Sequence, residues 1–177
     1  ELMRGCTHGC RFCQAGMIYR PRRERSPEIL RGQAAEQVRS SGYEDMALLS
    51  LSSADYTHIE PLMHDLLSDH AACGVGISLP SLRVDAFSVD LAARIQEVRK
   101  SGITLAPEAA TPRLRDAINK GVSEQDILSA AAAAFSQGYT HVKLYFMMGL
   151  PYETDSDLRG IAELCGKILR LGRANKP

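Results

Sequence analysis

The sequence predicts an α/β fold in which parallel strands, each followed by a helix, form a partial (βα) barrel. Three observations carry this reading. Gly42, Gly74, Gly102 and Gly138 each follow an amphipathic stretch and precede a β-rich one, the position of helix-terminating glycines. Strand-like and helix-like stretches alternate in units of about thirty residues, which implies parallel strands joined by right-handed crossovers. The strands themselves alternate, with one phase aliphatic and the other small or polar. A flat parallel sheet covered on both faces would be apolar in both phases, and a filled barrel would line its interior with branched aliphatic side chains. A small, polar phase therefore predicts a hollow wall facing a ligand cavity.

The chain opens on the end of a first strand, Glu1-Leu2-Met3, and its first long helix is expected over 27–41, started by a capping serine and a proline at Ser26-Pro27. A second strand spans 46–52, with Leu49 and Leu51 opposed to Ser50 and Ser52, and leads into a helix over 57–72. The third strand, 75–80, sets Val75, Ile77 and Leu79 against Gly76, Ser78 and Pro80, and a helix over 88–101 follows. The fourth, 103–108, sets Ile103, Leu105 and Pro107 against Thr104, Ala106 and Glu108. Thr111-Pro112 opens a short helix, 112–118, and Ser123 with Asp126 three residues on opens another, 124–137. The fifth strand, 141–148, sets Val142, Leu144, Phe146 and Met148 against His141, Lys143, Tyr145 and Met147. Thr154 with Asp157 then starts a last helix, 154–171.

A chain of 177 residues with 45% hydrophobic content is expected to bury one core, so residues 1–177 read as one domain. Lys and Arg balance Asp and Glu at 21 each, which argues against a generally basic nucleic-acid surface. Residues 1–31 are locally cationic, with seven arginines against three acids. Such a segment suits an anionic substrate such as RNA, compensation of a negatively charged cofactor, or a solvated arginine loop. No apolar run reaches the roughly 18 residues of a membrane span and no signal peptide opens the chain, so a cytoplasmic protein without a membrane partner is expected. Cys73 and Cys165 fall in helix-like patterns and read as small buried hydrophobes.

Chemistry concentrates at Arg4-Gly5-Cys6-Thr7-His8-Gly9-Cys10-Arg11-Phe12-Cys13, directly after the first strand. Three thiolates so close cannot all pair as disulfides. They can converge on one iron–sulfur cluster and leave one iron without a protein ligand, open to substrate or cofactor. The other reading of the same residues is a zinc knuckle of three cysteines and His8.

The triplet with Phe12 before its last cysteine resembles the signature of the radical SAM superfamily. That resemblance implies a [4Fe-4S] cluster on Cys6, Cys10 and Cys13, whose open iron chelates S-adenosylmethionine. It also implies reductive cleavage of that cofactor to methionine and a 5'-deoxyadenosyl radical, which takes hydrogen from a substrate. The family's fold is a partial parallel barrel of six strand–helix units. About five are present here, so the chain reads as a fragment lacking the sixth unit and its flanking domains.

The remaining site residues follow from matching strand-end loops. Ser52, Ser53 and Asp55 stand where the family's glycine-rich loop binds the amino group of S-adenosylmethionine, with serines in place of glycines. Arg83, with Asp85, stands at the end of strand three as a cofactor or substrate contact. Glu108 and Lys120, twelve residues apart, match the ribose and methionyl-carboxylate contacts, with Pro107 replacing the usual small residue. Met147 and Leu150, beside the Gly149-Leu150-Pro151 turn, are expected to line the adenine pocket, and Phe12 to pack beside cluster and adenine. Lys143 and Tyr145 lie on the inner phase and are candidate substrate contacts.

Glu108, Asn119-Lys120-Gly121 and Gly149-Leu150-Pro151 together look closest to the family's cobalamin-binding-domain-containing branch, related to the methylthiotransferases. Cobalamin would then be carried by a flanking domain, and flavodoxin or ferredoxin would supply electrons. A non-catalytic cluster-binding scaffold, motivated by the missing glycines, and a zinc-stabilised RNA-binding module remain as rival functions.

Overall fold

The computed structural model describes residues 1–79 and 103–175. The expected helix over 88–101 and the candidates Arg83 and Asp85 lie outside the described residues.

In chain order the elements are β1 (Met3–Arg4), α1 (Gln14–Ile18), β2 (Arg23–Glu24), α2 (Pro27–Ser41), β3 (Asp45–Ala47), α3 (Ile59–His70) and β4 (Gly76–Ser78). After the undescribed stretch come β5 (Ile103–Glu108), α4 (Pro112–Ala117), α5 (Glu124–Ser136), β6 (Val142–Phe146) and α6 (Asp155–Ala174). Helix starts follow the capping chemistry. The Ser26 hydroxyl accepts from the Ile29 amide, with Pro27 at the first turn. Ser123 and Asp126 form a reciprocal capping box.

The strands pair as β3 with β4 and β5 with β6, both parallel, and β1 with β2, antiparallel. Two single backbone bonds extend the first group. The Leu2 amide donates to the Leu49 carbonyl at 2.9 Å, and the Leu48 amide to the Ser78 carbonyl at 2.9 Å. No sheet among the described residues closes, so what is present of the expected partial barrel is a set of short parallel ladders. Strands two, three and five are shorter than their alternation predicted. The apolar–polar pattern of strand two continues to Ser52, but the chain leaves the β4 ladder after Ala47, and the hydroxyls of Ser50 and Ser53 bond within their own turn.

Alternation sorts the faces as read in β5 and through Phe146 of β6, but not after β3, where Leu49 and Leu51 are exposed and Ser52 is buried because the chain has left the ladder, nor at Met148, which is exposed beyond the end of β6. In β5, Ile103 and Leu105 are buried while Thr104, Ala106 and Glu108 are partly open; in β6, Lys143 and Tyr145 are exposed while Val142, Leu144 and Phe146 are partly covered. The buried phases feed two principal cores. One joins Leu2, Met3, Leu30, Leu62, Leu66 and Ile77; the other joins Ile103, Leu105, Ile127, Ala131, Leu164 and Ile168. At about 1.5–3 kcal/mol for each fully buried large aliphatic side chain, these clusters hold helices against strands.

Two expectations fail here. Cys73 and Cys165 are exposed rather than buried. Cys73 ends the short 3-10 turn that follows α3, and Cys165 points away from the Leu164–Ile168 stripe that α6 buries. No helix of the described residues is long and apolar enough to cross a membrane.

Candidate functional site

The cysteine loop runs from β1 to α1 and is shaped by glycines. Gly5 has φ +89°, and a Cβ there would lie 2.5 Å from the Tyr19 carbonyl oxygen, so only glycine lets the loop pass so close to the Tyr19–Arg22 segment. The Cys13 amide donates to the Cys10 carbonyl at 3.0 Å, and the Cys13 sulfur caps α1 by accepting from the Gly16 amide at 3.4 Å. All three thiols are free; Cys10 is buried, and Cys6 and Cys13 are half-buried.

The chain just beyond α4 grips this loop from the other side. The Arg11 amide donates to the Ile118 carbonyl at 2.9 Å, the Arg11 guanidinium donates to the Ala117 carbonyl, and the Asn119 side-chain amide donates to the carbonyls of Gly9 (3.0 Å) and His8 (3.4 Å). These bonds bring Lys120 to the loop. Its ammonium lies 3.2 Å from Glu108 Oε1 and 5.9 Å from the centroid of the Phe12 ring, within reach of a cation–π contact. Phe12 of the cysteine motif and the Glu108–Lys120 pair, read separately, are thus brought together.

Glu108 adopts φ +66°, a left-handed conformation unusual for a long side chain, where the β5–β6 register shifts. Its carbonyl accepts from the Met147 amide at 2.8 Å, which ties the strained position to the end of β6. There Leu150 is buried with Ala109, Leu114 and Ile118, and Met147 packs against them, so the two residues expected to line an adenine pocket share one apolar cluster. Beneath these turns Asp157 accepts from the hydroxyls of Thr111 and Thr154, from the Thr154 amide and from Arg113. The Thr111 hydroxyl first, then Thr154 and Arg113, hold its carboxyl well below the usual carboxylate range.

In the loop after β3, Ser53 donates to the Leu48 carbonyl at 3.2 Å and contacts Ser50, while the buried Ser52 hydroxyl has no hydrogen-bond partner among the described residues. Asp55 meets His8, with Nε2 and Oδ2 2.5 Å apart. Lys143 and Tyr145 interact with each other, the ammonium 5.1 Å from the ring centroid.

Sequence reasoning named His8 as a zinc-knuckle ligand and Asn119 only within a family motif, and found neither one's contacts. Both act through contacts with residues 47 or more positions away, and neither carries a local pattern that announces this. Arg115 was also missed. It is buried and donates to the carbonyls of Val122, Ala109 and Ala110, bracing the turn after β5, and burial pushes its guanidinium pKa down.

The donor set bears on what the loop holds. Among the described residues, the one group of three metal-type donors within mononuclear reach is Cys6, His8 and Asp55, their ligand atoms within 4.8 Å of one another. Cys10 and Cys13 stand outside it, which a three-cysteine zinc knuckle does not fit. Three free thiols on one loop, beside a buried ammonium and a buried hydroxyl without a partner among the described residues, suit a polynuclear cluster and a polar cofactor.

Comparison with known proteins points the same way. Residues 1–165 match the Radical SAM superfamily. The chain is similar to Uncharacterized protein MJ0966 of Methanocaldococcus jannaschii, with 40% identity over 168 residues that cover 95% of this chain and 36% of that protein. The chain therefore spans about a third of its relative's length. With the cysteine loop, the strand-end turns and a match over nearly its whole length in agreement, the chain belongs to the radical SAM superfamily.

Proposed function

We propose that this chain is the core of a radical SAM enzyme, holding a [4Fe-4S] cluster on Cys6, Cys10 and Cys13 and S-adenosylmethionine across the ends of its strands. A cluster held on Cys6, Cys10 and Cys13 would supply the electron for reductive cleavage of S-adenosylmethionine to methionine and a 5'-deoxyadenosyl radical, the species that would take hydrogen from substrate. The observation that carries the reading is the grip of the Ala117–Asn119 segment on the cysteine loop, which seats Glu108 and Lys120 beside Phe12.

The protein's part is to bind, orient and exclude water. Lys120 offers a point charge to the methionyl carboxylate, and Glu108 accepts from ribose hydroxyls, the two exchanging their mutual contact for the cofactor. Strain at Glu108 is consistent with a side chain held for binding rather than for folding. Ser52 offers a polar ligand group a buried hydroxyl that has no partner among the described residues, with Ser53 and Asp55 setting the turn around it. Met147 and Leu150 provide the apolar wall for adenine, and Phe12 covers the cluster side. Lys143 and Tyr145 are proposed substrate contacts, and Arg83 is kept from its sequence position as a cofactor or substrate contact.

The flanking parts of the full-length protein select the substrate, with RNA or another anionic macromolecule suited to the arginine-rich first segment. Kinship to the cobalamin-binding-domain-containing branch, a flavodoxin or ferredoxin electron donor and a cytoplasmic location belong to the same proposal. The test is to reconstitute the full-length protein anaerobically with iron and sulfide, add reductant and S-adenosylmethionine, and measure 5'-deoxyadenosine. Its formation is expected. A cluster-loaded sample that forms none would favour the non-catalytic scaffold.

A further inference from the structure

His8 lies between two of the proposed cluster ligands, yet its side chain faces the next strand-end loop. Its Nε2 sits 2.5 Å from Asp55 Oδ2, and the Cys6 sulfur completes a group whose ligand atoms all lie within 4.8 Å of one another. One thiol, one imidazole and one carboxylate make a donor set of zinc type. Tetrahedral zinc, with bonds of about 2.0–2.3 Å, places its ligand atoms somewhat more than 3 Å apart. Reaching that spacing requires the 2.5 Å His8–Asp55 contact to open, with Cys6 already within 4.8 Å of both. All three side chains are half-buried, so an ion can reach them from solvent. The loop carrying His8 is pinned independently by Asn119, and Asp55 is pinned through its carbonyl by Arg22 at 2.8 Å, so both walls exist before any metal arrives.

We propose that the cluster-free protein binds one zinc ion through Cys6, His8 and Asp55, with solvent as fourth ligand, and that this site and the iron–sulfur cluster compete for Cys6. Zinc binding rests on these three residues alone; the competition rests on the cluster assignment above. The two ligand sets overlap only at Cys6. Loss of Cys10 or Cys13 disables the cluster and spares zinc, whereas loss of His8 or Asp55 weakens zinc and spares the cluster. The site would hold the loop closed in the absence of iron and sulfide, and would act as a checkpoint on cluster insertion.

The experiment titrates anaerobic, chelator-stripped full-length protein with Co²⁺ as a spectroscopic probe, then displaces it with Zn²⁺. The expected result is one ion per chain, with thiolate-to-cobalt charge transfer and tetrahedral ligand-field bands. His8→Gln, Asp55→Asn and Cys6→Ser should each weaken zinc at least about tenfold, since changing even an outer-sphere partner commonly weakens a metal site by that much. Cys10→Ser and Cys13→Ser should leave zinc affinity within about threefold of wild type and abolish cluster reconstitution, while His8→Gln retains it. Zinc added before iron and sulfide should lower cluster yield in wild type but not in His8→Gln. Zinc affinity that ignores both His8→Gln and Asp55→Asn, or that collapses in Cys10→Ser, overturns the proposal. Should Asp55→Asn fail to fold by circular dichroism, the loop variant His8→Gln decides alone. A protein that takes up zinc as described but never a cluster would defeat the enzyme assignment and leave the zinc site standing.

Discussion

Replacing Asp157 by asparagine should expose how much of the site's geometry hangs on one carboxylate. Asp157 is only 3% exposed and joins the N-terminal turns of α4 and α6, the two helices that start just after the ends of β5 and β6. It accepts from the Thr111 and Thr154 hydroxyls, the Thr154 amide and Arg113. Arg113 is 53% exposed, so solvent screens that pair and it adds little. The threonine bonds dominate. Net contributions of about 1.5–3 kcal/mol for a hydrogen bond to a charged group are not additive within one node, and asparagine keeps one acceptor oxygen. The expected destabilisation is therefore about 2–3 kcal/mol, roughly a 30- to 150-fold shift in the unfolding equilibrium.

Urea denaturation followed by circular dichroism, at fixed slope, measures this. The pH dependence gives a second reading. Because folding lowers the Asp157 pKa, its stabilisation is complete above the unfolded value of about 3.9 and fades as pH falls toward the folded value. The gap between wild type and Asp157→Asn should be widest at neutral pH and narrow below about pH 4. A variant within about 0.5 kcal/mol of wild type, or a gap that stays constant from pH 7 to 3, would refute the reasoning.

Two further outcomes follow from the site. Ser52→Ala removes a buried hydroxyl that has no partner among the described residues, so stability should hold or rise by up to about 1 kcal/mol while calorimetry shows weaker S-adenosylmethionine binding; a loss of more than about 1 kcal/mol would mean the hydroxyl already serves the fold. Asn119→Gly suits the backbone at φ +53° but deletes the bonds to Gly9 and His8, so iron should leave the reconstituted protein faster under chelator while global stability changes by no more than about 1 kcal/mol. Unchanged iron release in Asn119→Gly would remove the clamp from the account.

Local chemistry made much of this legible. The Ser26-Pro27 start gives a helix over the 27–41 range read from sequence, and Gly42 ends it at φ +69°. Strand alternation put Lys143 and Tyr145 on the open face of β6 and Leu105 beneath its helices. The twelve-residue spacing of Glu108 and Lys120 does close into a contact, because the short α4 turns the chain back on itself. Strand length was less readable, since hydrophobic alternation outlasts the backbone ladder wherever side-chain hydroxyls capture the next polar groups, as after Ala47. Cys73 and Cys165 were misread because a small apolar residue in a helical pattern suits either face. His8 with Asp55, and Asn119 with Gly9, depend on distant segments meeting, which periodicity does not encode.

The central claim is that three thiolates share one four-iron cluster whose open iron takes S-adenosylmethionine. Iron and sulfide analysis with electron paramagnetic resonance on reduced, anaerobically reconstituted full-length protein tests it most directly. The account predicts about four irons and four sulfides per chain, a signal altered by S-adenosylmethionine, and loss of both in Cys6→Ser, Cys10→Ser and Cys13→Ser. Zinc without iron or sulfide in wild type, or a cluster that survives all three substitutions, would contradict it.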